Sequence, residues 1–285
     1  MKLKDLKILW LSDFDTQARP EGGAELTDSY VIEAGRELGF TIEWKTSLHT
    51  DILQALKNSD LVIVSNFYYH DISLMVKVFE KPFILYCHDT GNWMKRTKEF
   101  PSMFRKALFS IFLSPLHRKA FQNYINLSKT ECIPPHFPKK FKITSLDRLN
   151  KAVYIGTLFH HKGILNIINY SKKNNLKVDF YFKRYDDFLY SSLKREKNCE
   201  LKGYIQHQNL PIILNQYKYF IHLSEGIEAF GRAVGEAFLC GCSLIINKNV
   251  GAMSYFWSKD YKSFRQNTLY SHYKFWDILE DRVKL

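Results

Sequence analysis

The sequence lacks the long apolar runs and the cysteine spacings that would place it in a membrane or outside the cell. No run approaches the roughly 18 apolar residues that a membrane-spanning helix needs. Residues 1–7 (MKLKDLK) are too charged for the apolar stretch of a secretory signal. The five cysteines show no paired spacing, which predicts reduced thiols rather than a disulfide framework. We therefore expect a cytoplasmic protein, bound at most to the surface of a membrane.

The sequence also lacks several familiar motifs. It contains no P-loop, no zinc-ligand spacing, no Ser-His-Asp arrangement and no internal repeat. Disorder and a fibrous structure are excluded, because 46% of the 285 residues are hydrophobic and can form buried cores. The length is close to that of two domains of roughly 140 residues each.

Positive charge is abundant but unevenly distributed. The chain carries a net charge of +12, with 41 basic against 29 acidic residues. Residues 1–90 hold 9 basic and 14 acidic side chains, whereas residues 91–150 hold 12 basic and 3 acidic ones. Such a basic middle region predicts an anionic partner, which composition alone leaves open as nucleic acid, a membrane surface or a phosphorylated substrate.

Short apolar runs alternate with helical patterns, which is typical of α/β proteins with parallel sheets. Strands are predicted at 7–11, 41–44, 61–65, 83–87 and 110–114, and again at 152–155, 177–182, 219–223 and 243–247. Helices are predicted at 24–39, 50–58, 73–80, 115–124, 163–173, 210–216, 232–240 and 271–283. Residues 132–149 have the composition of a proline-rich linker. We therefore expect two Rossmann-like domains, residues 1–148 and 149–285, with the last helix packing back on the first domain.

The most specific motif is the segment 228–236 (EAFGRAVGE). Gly231 opens a predicted helix, and the free N–H groups at a helix start can hold a phosphate. Glu228 before the helix and Glu236 inside it could then accept hydrogen bonds from sugar hydroxyls. The motif alone leaves open an ordinary strand–loop–helix turn with exposed acids.

Together with its surroundings, residues 219–247, this segment resembles the donor-site core of GT-B glycosyltransferases of the retaining family 4, or group 1, type. The resemblance implies two Rossmann-like domains with a donor/acceptor cleft between them, and no required metal or cofactor. It implies that Glu228 lies near the donor sugar and that Glu236 binds the ribose. Backbone amides near Gly231 and Arg232 would contact the diphosphate of a UDP- or GDP-sugar.

Three further segments match the same family in the expected order. Gly22 and Gly23 follow the first strand, where the family has a glycine-rich loop that approaches both substrates. His88 follows the fourth strand and would lie beside the reacting sugar, with Asp89 able to orient its ring. Lys162 follows the first strand of the second half and would neutralise the diphosphate.

Two departures from the family pattern change what we expect. Thr157 stands where the family has an arginine on the diphosphate, and we expect Arg232 to compensate. Residues 180–185 replace a glycine-rich turn, so that Arg184 or Tyr185 could stack on the base of the donor nucleotide. The sequence does not reveal which base that is. The candidate catalytic residues are therefore His88, Lys162 and Glu228. The candidate donor-binding residues are Gly22, Gly23, Thr157, Lys162, Gly231, Arg232 and Glu236.

The basic region contains a cluster of cations interleaved with aromatic residues. The cations are Lys95, Arg96, Lys98, Arg105 and Lys106, and the aromatic residues are Trp93, Phe100, Phe104 and Phe109. Three interpretations remain open: an anionic membrane or glycan acceptor, nucleic acid with stacked bases, or a solvated helix face.

We predict a retaining glycosyltransferase that acts on a hydroxyl of an anionic glycan or lipid. Two alternatives are retained. One is a glycosyltransferase acting on hydroxymethylated bases of DNA, and the other is a non-catalytic nucleic-acid-binding protein on the same scaffold.

Overall fold

The computed structural model describes residues 3–20 and 22–283. The chain divides into two compact units, each built on one parallel sheet. The first comprises Met1–His136 with Asn267–Leu285, as far as these are described, and the second comprises Phe137–Gln266. This division lies earlier in the chain than the predicted boundary at 148/149. The expected α/β architecture with two Rossmann-like sheets is confirmed.

The first unit has a six-stranded sheet of order β2-β1-β3-β4-β5-β6 in which every pair is parallel. Its strands are β1 (Lys7–Ser12), β2 (Thr41–Thr46), β3 (Leu61–Val64), β4 (Phe83–Cys87), β5 (Phe109–Phe112) and β6 (Thr130–Cys132). Its helices up to the division are α1 (Gly23–Glu37), α2 (Ile52–Asn58), α3 (Ile72–Val78), α4 (Gly91–Glu99), α5 (Met103–Lys106) and α6 (Pro115–Ala120). All residues of β3, β4 and β5 are buried, which explains the continuous apolar runs of β3 and β4.

The second unit has a five-stranded sheet of order β11-β10-β7-β8-β9, again with parallel pairs. Its strands are β7 (Leu149–Ile155), β8 (Val178–Tyr181), β9 (Cys199–Gly203), β10 (Tyr217–His222) and β11 (Ser243–Ile246). Its helices are α7 (Ile164–Asn174), α8 (Asp187–Lys194), α9 (Leu210–Leu214) and α10 (Arg232–Leu239), and α11 (Tyr261–Leu269) begins in this unit.

The last helix, α12 (Ser271–Arg282), belongs to the first unit and packs on α1. Trp276 of α12 is fully buried and donates a hydrogen bond from Nε1 to the Val31 carbonyl at 2.7 Å. Gly35 makes this approach possible, because a Cβ there would lie 2.4 Å from the Trp276 ring. Residues 267–283 therefore pack with the first half of the sequence rather than with the residues that directly precede them.

Some elements have no counterpart among the predicted ones, and one predicted loop is buried. The elements not predicted are β6, β9, α4, α5, α8 and α11, and the edge strand β9 alternates between partly buried and exposed residues without an apolar run. Part of the predicted linker 132–149 lies in a core: Phe137 and Phe141 are completely buried, and Phe137 packs against Phe230 at 5.9 Å.

Both sheets reverse their strand order next to their first strand. In the first unit β1 lies between β2 and β3, and in the second β7 lies between β10 and β8. In open parallel sheets, ligands bind at the carboxyl ends of the strands beside such a reversal. The loops after β1, β3 and β4, and those after β7 and β10, are therefore where a site is expected.

Candidate functional site

The loop after β7 places Lys162 at the strand-order reversal of the second unit. Lys162 lies in a short turn whose next residue, Gly163, has a left-handed backbone with φ 72°. A Cβ at Gly163 would lie only 1.8 Å from the Leu223 carbonyl oxygen, so this close approach to the end of β10 requires glycine. The turn is thereby held against the loop that carries Glu228.

Glu228 is fixed through its backbone in the loop after β10. Its N–H donates to the Asn249 carbonyl at 2.9 Å, and its own carbonyl accepts from the Gly251 N–H at 3.0 Å. These two bonds form a parallel bridge between Glu228 and Val250. The loops after β10 and β11 thus hold the carboxylate in one place.

Lys162 and Glu228 form an ion pair across the reversal point. Nζ of Lys162 donates to both carboxylate oxygens of Glu228 at 2.8 Å, and the two side chains are 23% and 19% exposed. Nε2 of His222 lies 3.4 Å from Glu228 Oε2. Burial opposes the charge of Glu228, but the neighbouring Lys162 and His222 outweigh it and lower the pKa of Glu228 far below its ordinary value. The carboxylate is therefore ionised throughout the physiological range.

Glu236 forms a second charged group in the same unit. It is buried on α10, and its Oε1 is 2.9 Å from His207 Nε2 and 3.5 Å from Arg232 Nη2. Burial again opposes the charge, but His207 and then Arg232 lower the pKa of Glu236 below its ordinary value. The Arg232 guanidinium lies over the Phe137 ring at 4.9 Å. Arg232 is therefore placed beside Glu236 at the amino end of α10.

Gly231 connects the Glu228 loop to α10 in a left-handed conformation, with φ 84°. A Cβ there would lie 3.3 Å from Glu228 Cγ, so the amino end of α10 is next to the Glu228 side chain. The N–H groups of a first helical turn have no acceptor within the helix, and they favour an anion. The helix start and the Glu228 loop thus form one continuous surface of the second unit.

Sequence reasoning missed His222 and Tyr154, which support this group. The two rings are parallel within 3° at 6.1 Å between centroids, and the Tyr154 hydroxyl donates to the Thr157 carbonyl at 2.8 Å. The partly buried Thr157 is thereby held through its backbone at the end of β7. His222 could have been recognised, because it ends an apolar strand as His88 does.

Residues 180–185 present one exposed aromatic ring beside β8. Tyr185 is 47% exposed and stacks on Tyr190, with 4.7 Å between ring centroids. The Arg184 side chain is exposed, and its carbonyl accepts from the Leu158 N–H at 2.9 Å. The segment that replaces the glycine-rich turn is thus ordered by backbone pairing with the loop after β7.

In the first unit, His88 belongs to a buried hydrogen-bonded chain. His88 Nε2 is 2.8 Å from Asp28 Oδ1, and Asp28 Oδ2 accepts from the Ser65 hydroxyl at 2.6 Å. The Asp89 carbonyl is 3.1 Å from His117 Nε2, and burial lowers the pKa of His117 to about 3. The carboxylate that holds the His88 ring at Nε2 is that of Asp28.

Gly22 and Gly23 begin α1 next to this chain. Gly22 is the N-cap, and a Cβ there would lie 1.9 Å from Glu25 Oε2, so the buried Glu25 carboxyl folds back over it. Burial raises the pKa of Glu25, and Asp28 adds to the shift. The glycine pair thus leaves room for a carboxyl group at the helix start.

The basic cluster differs from its prediction in two ways. Arg96 is buried, and its guanidinium donates to the carbonyls of Phe67, Tyr68 and His70 at 3.2, 2.5 and 3.1 Å and also pairs with Glu99. The prediction of Arg96 as a surface cation is therefore wrong, since it fixes the loop after β3. The other four cations are exposed, whereas three of the aromatic residues are buried: Trp93, Phe104 and Phe109.

The candidate residues therefore lie in two groups, one in each unit. Gly22, Gly23 and His88 are in the first, and Thr157, Lys162, Gly231, Arg232, Glu228 and Glu236 are in the second. Within the described ranges, no group of three or more His, Cys, Asp or Glu residues is arranged to hold a metal ion. In the same ranges no helix is long and apolar enough to span a membrane.

We compared the sequence and the fold with those of known proteins. Residues 137–263 match the family model described as Glycosyl transferases group 1. A search of curated proteins finds no match for the chain. Among solved structures, Anabaena Alr3699/HepE in complex with UDP and glucose is 17% identical with a TM-score of 0.67, over 97% of this chain and 95% of that one.

Two further structures are similar over different extents. The sucrose-phosphate synthase tll1590 from Thermosynechococcus elongatus is 12% identical with a TM-score of 0.77, over 96% of this chain and 98% of that one. TarM from S. aureus, in complex with fondaparinux, alpha-GlcNAc-glycerol and UDP, is 16% identical with a TM-score of 0.51, over 78% of this chain and 51% of that one.

The similar structures show that the chain has the GT-B fold. Within it, residues 137–263, less than half of the chain, match a glycosyltransferase domain of the group 1 type.

Proposed function

We propose that this protein is a retaining glycosyltransferase that transfers a sugar from a nucleotide-diphosphate donor to a hydroxyl group of an anionic acceptor. The observation that carries the proposal is the Lys162–Glu228 ion pair at the reversal point of the second sheet. It lies within the residues that match the glycosyltransferase family. The similar HepE structure contains UDP and glucose, which supports a nucleotide-sugar donor.

The donor diphosphate would replace Glu228 as the partner of Lys162. A diphosphate carries more negative charge than a carboxylate, and it can reach Nζ because the lysine is partly exposed. As the sugar bond breaks, charge builds up on the departing diphosphate. Lys162 and the amino end of α10 would stabilise that charge, which is the principal means of catalysis in such a transfer.

Glu228 and Glu236 would hold the two ends of the donor. Glu228, released from Lys162, would accept hydrogen bonds from the donor sugar, since its depressed pKa keeps it an acceptor. Glu236 would bind the ribose hydroxyls, and Arg232 beside it would supply the charge that Thr157 does not. If R232A leaves donor affinity unchanged while K162A abolishes it, this compensating role of Arg232 is wrong.

The proposal also includes retention of the anomeric configuration of the transferred sugar. Glu228 is drawn to Lys162 and His222, and we propose that it acts as a binding group rather than as a nucleophile, in line with front-face displacement. The anomeric configuration of the product, measured by NMR at early times, tests this. A product with the inverted configuration would contradict retention while leaving the donor site intact.

For the acceptor, we propose an anionic glycan or lipid at a membrane surface, which the enzyme would approach from the cytoplasm. Exposed apolar residues occur after β3 and on α3 next to exposed cations of α4. They are Tyr68, Tyr69, Ile72 and Val76, and Lys95 Nζ lies 5.5 Å from the Tyr68 ring centroid. Such a mixture of apolar side chains and lysines suits an anionic membrane.

DNA is the less favoured acceptor, because the buried rings of Trp93, Phe104 and Phe109 cannot stack on bases. Binding to vesicles with anionic lipid and to duplex DNA, each over a range of salt concentrations, distinguishes these acceptors. Binding to DNA alone would overturn the membrane proposal.

The direct test of function is turnover of a panel of UDP-, GDP- and ADP-sugars, followed as release of the nucleoside diphosphate. We expect one class of donor to be hydrolysed slowly without acceptor, and both K162A and E228A to lose this activity while remaining folded. Full activity in both variants would overturn the site. Absence of turnover for every donor, combined with binding of nucleic acid, would favour the non-catalytic alternative.

A further inference from the structure

We propose that Asp28 is a positioning residue, which holds His88 in one orientation and one tautomer so that Nδ1 accepts a hydrogen bond from a sugar hydroxyl. This inference rests on the proposed function and deepens it. It assigns a role to a residue of α1 that none of the sequence motifs includes.

The first line of support is the direction of the hydrogen bonds. Asp28 Oδ1 is 2.8 Å from His88 Nε2, and both side chains are buried, with 1% and 2% exposed. The Ser65 hydroxyl donates to the other oxygen at 2.6 Å. A carboxylate only accepts, so the ring proton lies on Nε2. In the neutral ring the free lone pair is therefore on Nδ1.

The second line of support is the state of Nδ1 itself. Nδ1 of His88 is buried and has no hydrogen-bond partner among the residues that the structure describes. The ring is further held by an edge-to-face contact with Tyr86, with 4.4 Å between centroids. Buried ring nitrogens are normally paired. An acceptor that is oriented so firmly and has no partner among residues 3–20 and 22–283 points to a donor group on a ligand.

The third line of support is location. Asp28 comes from the helix after β1, Ser65 follows β3, and His88 follows β4, which are three adjacent strands of the first sheet. The chain thus lies at the carboxyl edge next to the reversal of strand order, where ligands bind in such sheets.

The variants D28A and D28N distinguish the positioning of the His88 ring by Asp28 from the effect of the Asp28 charge. D28A leaves Nε2–H without an acceptor, and we expect kcat/KM to fall on the order of 10- to 100-fold, as for other supporting partners of functional histidines. D28N keeps an acceptor for Nε2–H, because Ser65 can donate instead to the Leu11 carbonyl at 3.4 Å. It should therefore recover most of the activity. D179N, which alters a buried carboxylate in the second unit, is the matched control and should leave kcat/KM unchanged.

Nitrogen-15 NMR of the histidine ring provides a readout that does not depend on turnover. In the wild-type protein we expect His88 to carry its proton on Nε2, with Nδ1 unprotonated, and the Nδ1 signal to shift when UDP-glucose is added. D28A should show a mixture of tautomers. If no donor is turned over, the proposed function fails, but the tautomer still tests the role of Asp28. A proton on Nδ1 in the wild type, a folded D28A with normal kcat/KM, or a D28N as poor as D28A would each overturn the proposal.

Discussion

The carboxyl edges of the two sheets carry opposite kinds of chemistry. In the second unit, cations and anions are paired with each other, Lys162 with Glu228 and Arg232 with Glu236, and His207 is hydrogen-bonded to Glu236. In the first unit, a chain of hydrogen bonds through the Asp28 carboxylate ends at a ring nitrogen of His88 without a partner in the described structure. The edge of the second sheet is therefore suited to compensate the charge of an anionic ligand. The edge of the first sheet is suited to accept a hydrogen bond in a fixed direction.

This difference shows that two similar parallel sheets can present different chemistry at the same edge. Under the proposed function, a diphosphate leaving group needs positive charge, which the second unit holds in ion pairs with its own carboxylates. A sugar hydroxyl needs only a correctly placed acceptor, which Nδ1 of His88 would provide in the first unit.

The largest effect that we predict is the loss of Lys162. K162A should lower turnover by about 100- to 1000-fold, as expected when a group that stabilises a developing anion is removed. The measurement is the initial rate of nucleoside diphosphate release. K172A is the matched control, because Lys172 forms a similar ion pair with Glu196 at 2.6 Å on the exposed side of α7. If both variants lose the same amount of activity, the charge at the second edge has no special role.

The next effect concerns stability in the first unit. R96A should lower the free energy of unfolding by about 2–4 kcal/mol, because three carbonyls, two of them in buried hydrogen bonds and one in a partly buried one, lose a charged donor. Thermal denaturation measures this effect. The double variant K95A/K98A, which alters two exposed cations of the same helix, should keep the wild-type melting temperature and bind anionic vesicles more weakly. A destabilised double variant would contradict this separation.

A smaller effect that we predict is a difference between the two units in how the free energy of unfolding depends on pH. Burial lowers the pKa of His117 to about 3, whereas an unfolded chain protonates histidine near pH 6.5. Between these values the unfolded state binds one more proton, so stability falls with falling pH by about 1.4 kcal/mol per pH unit. The pKa values of Glu228 and Glu236 are depressed in the folded protein. These two groups therefore lower the stability only below about pH 4.3, where the carboxyls of the unfolded chain begin to take up protons.

H117Q tests this acid window. Chemical unfolding at pH 7.5 and pH 5 should show a clear loss of stability for the wild type and a smaller loss for the variant. His272, whose pKa burial lowers to about 4, contributes to the remaining slope, as do His70 in the first unit and His161 in the second, whose pKa values burial also lowers. Equal slopes for the two proteins would show that His117 is not the group responsible.

Much of the fold could be predicted because buried parallel strands have continuous apolar sequences. The runs LVIV of β3 and FILYC of β4 are examples, since both faces of these strands are covered. Helix α4 had no such signal, because four of its nine residues, KR and KE, are charged. Residues 132–149 were predicted as a linker because they contain several prolines and no periodic apolar pattern. That composition gave no sign that Phe137 and Phe141 are buried.

The site could be predicted only where its residues are close in sequence. The Glu228 to Glu236 segment and Lys162 with Gly163 stand in short motifs, each fixed by a glycine whose left-handed backbone the structure shows. Asp28 and His88 are 60 positions apart, and only the adjacency of β1, β3 and β4 brings them together. Sequence reasoning selected Asp89 because it is adjacent to His88 in the chain, whereas the fold supplies Asp28.

The most direct measurement of the central claim is calorimetric binding of UDP and GDP to the wild type, K162A and E228Q. We predict that one of the two nucleotides binds the wild type and that K162A loses this binding. E228Q should bind about 3- to 10-fold more tightly, because Lys162 no longer has a carboxylate partner within the chain. Equal affinities in all three proteins, or weaker binding by E228Q, would contradict the claim that a diphosphate competes with Glu228 for Lys162.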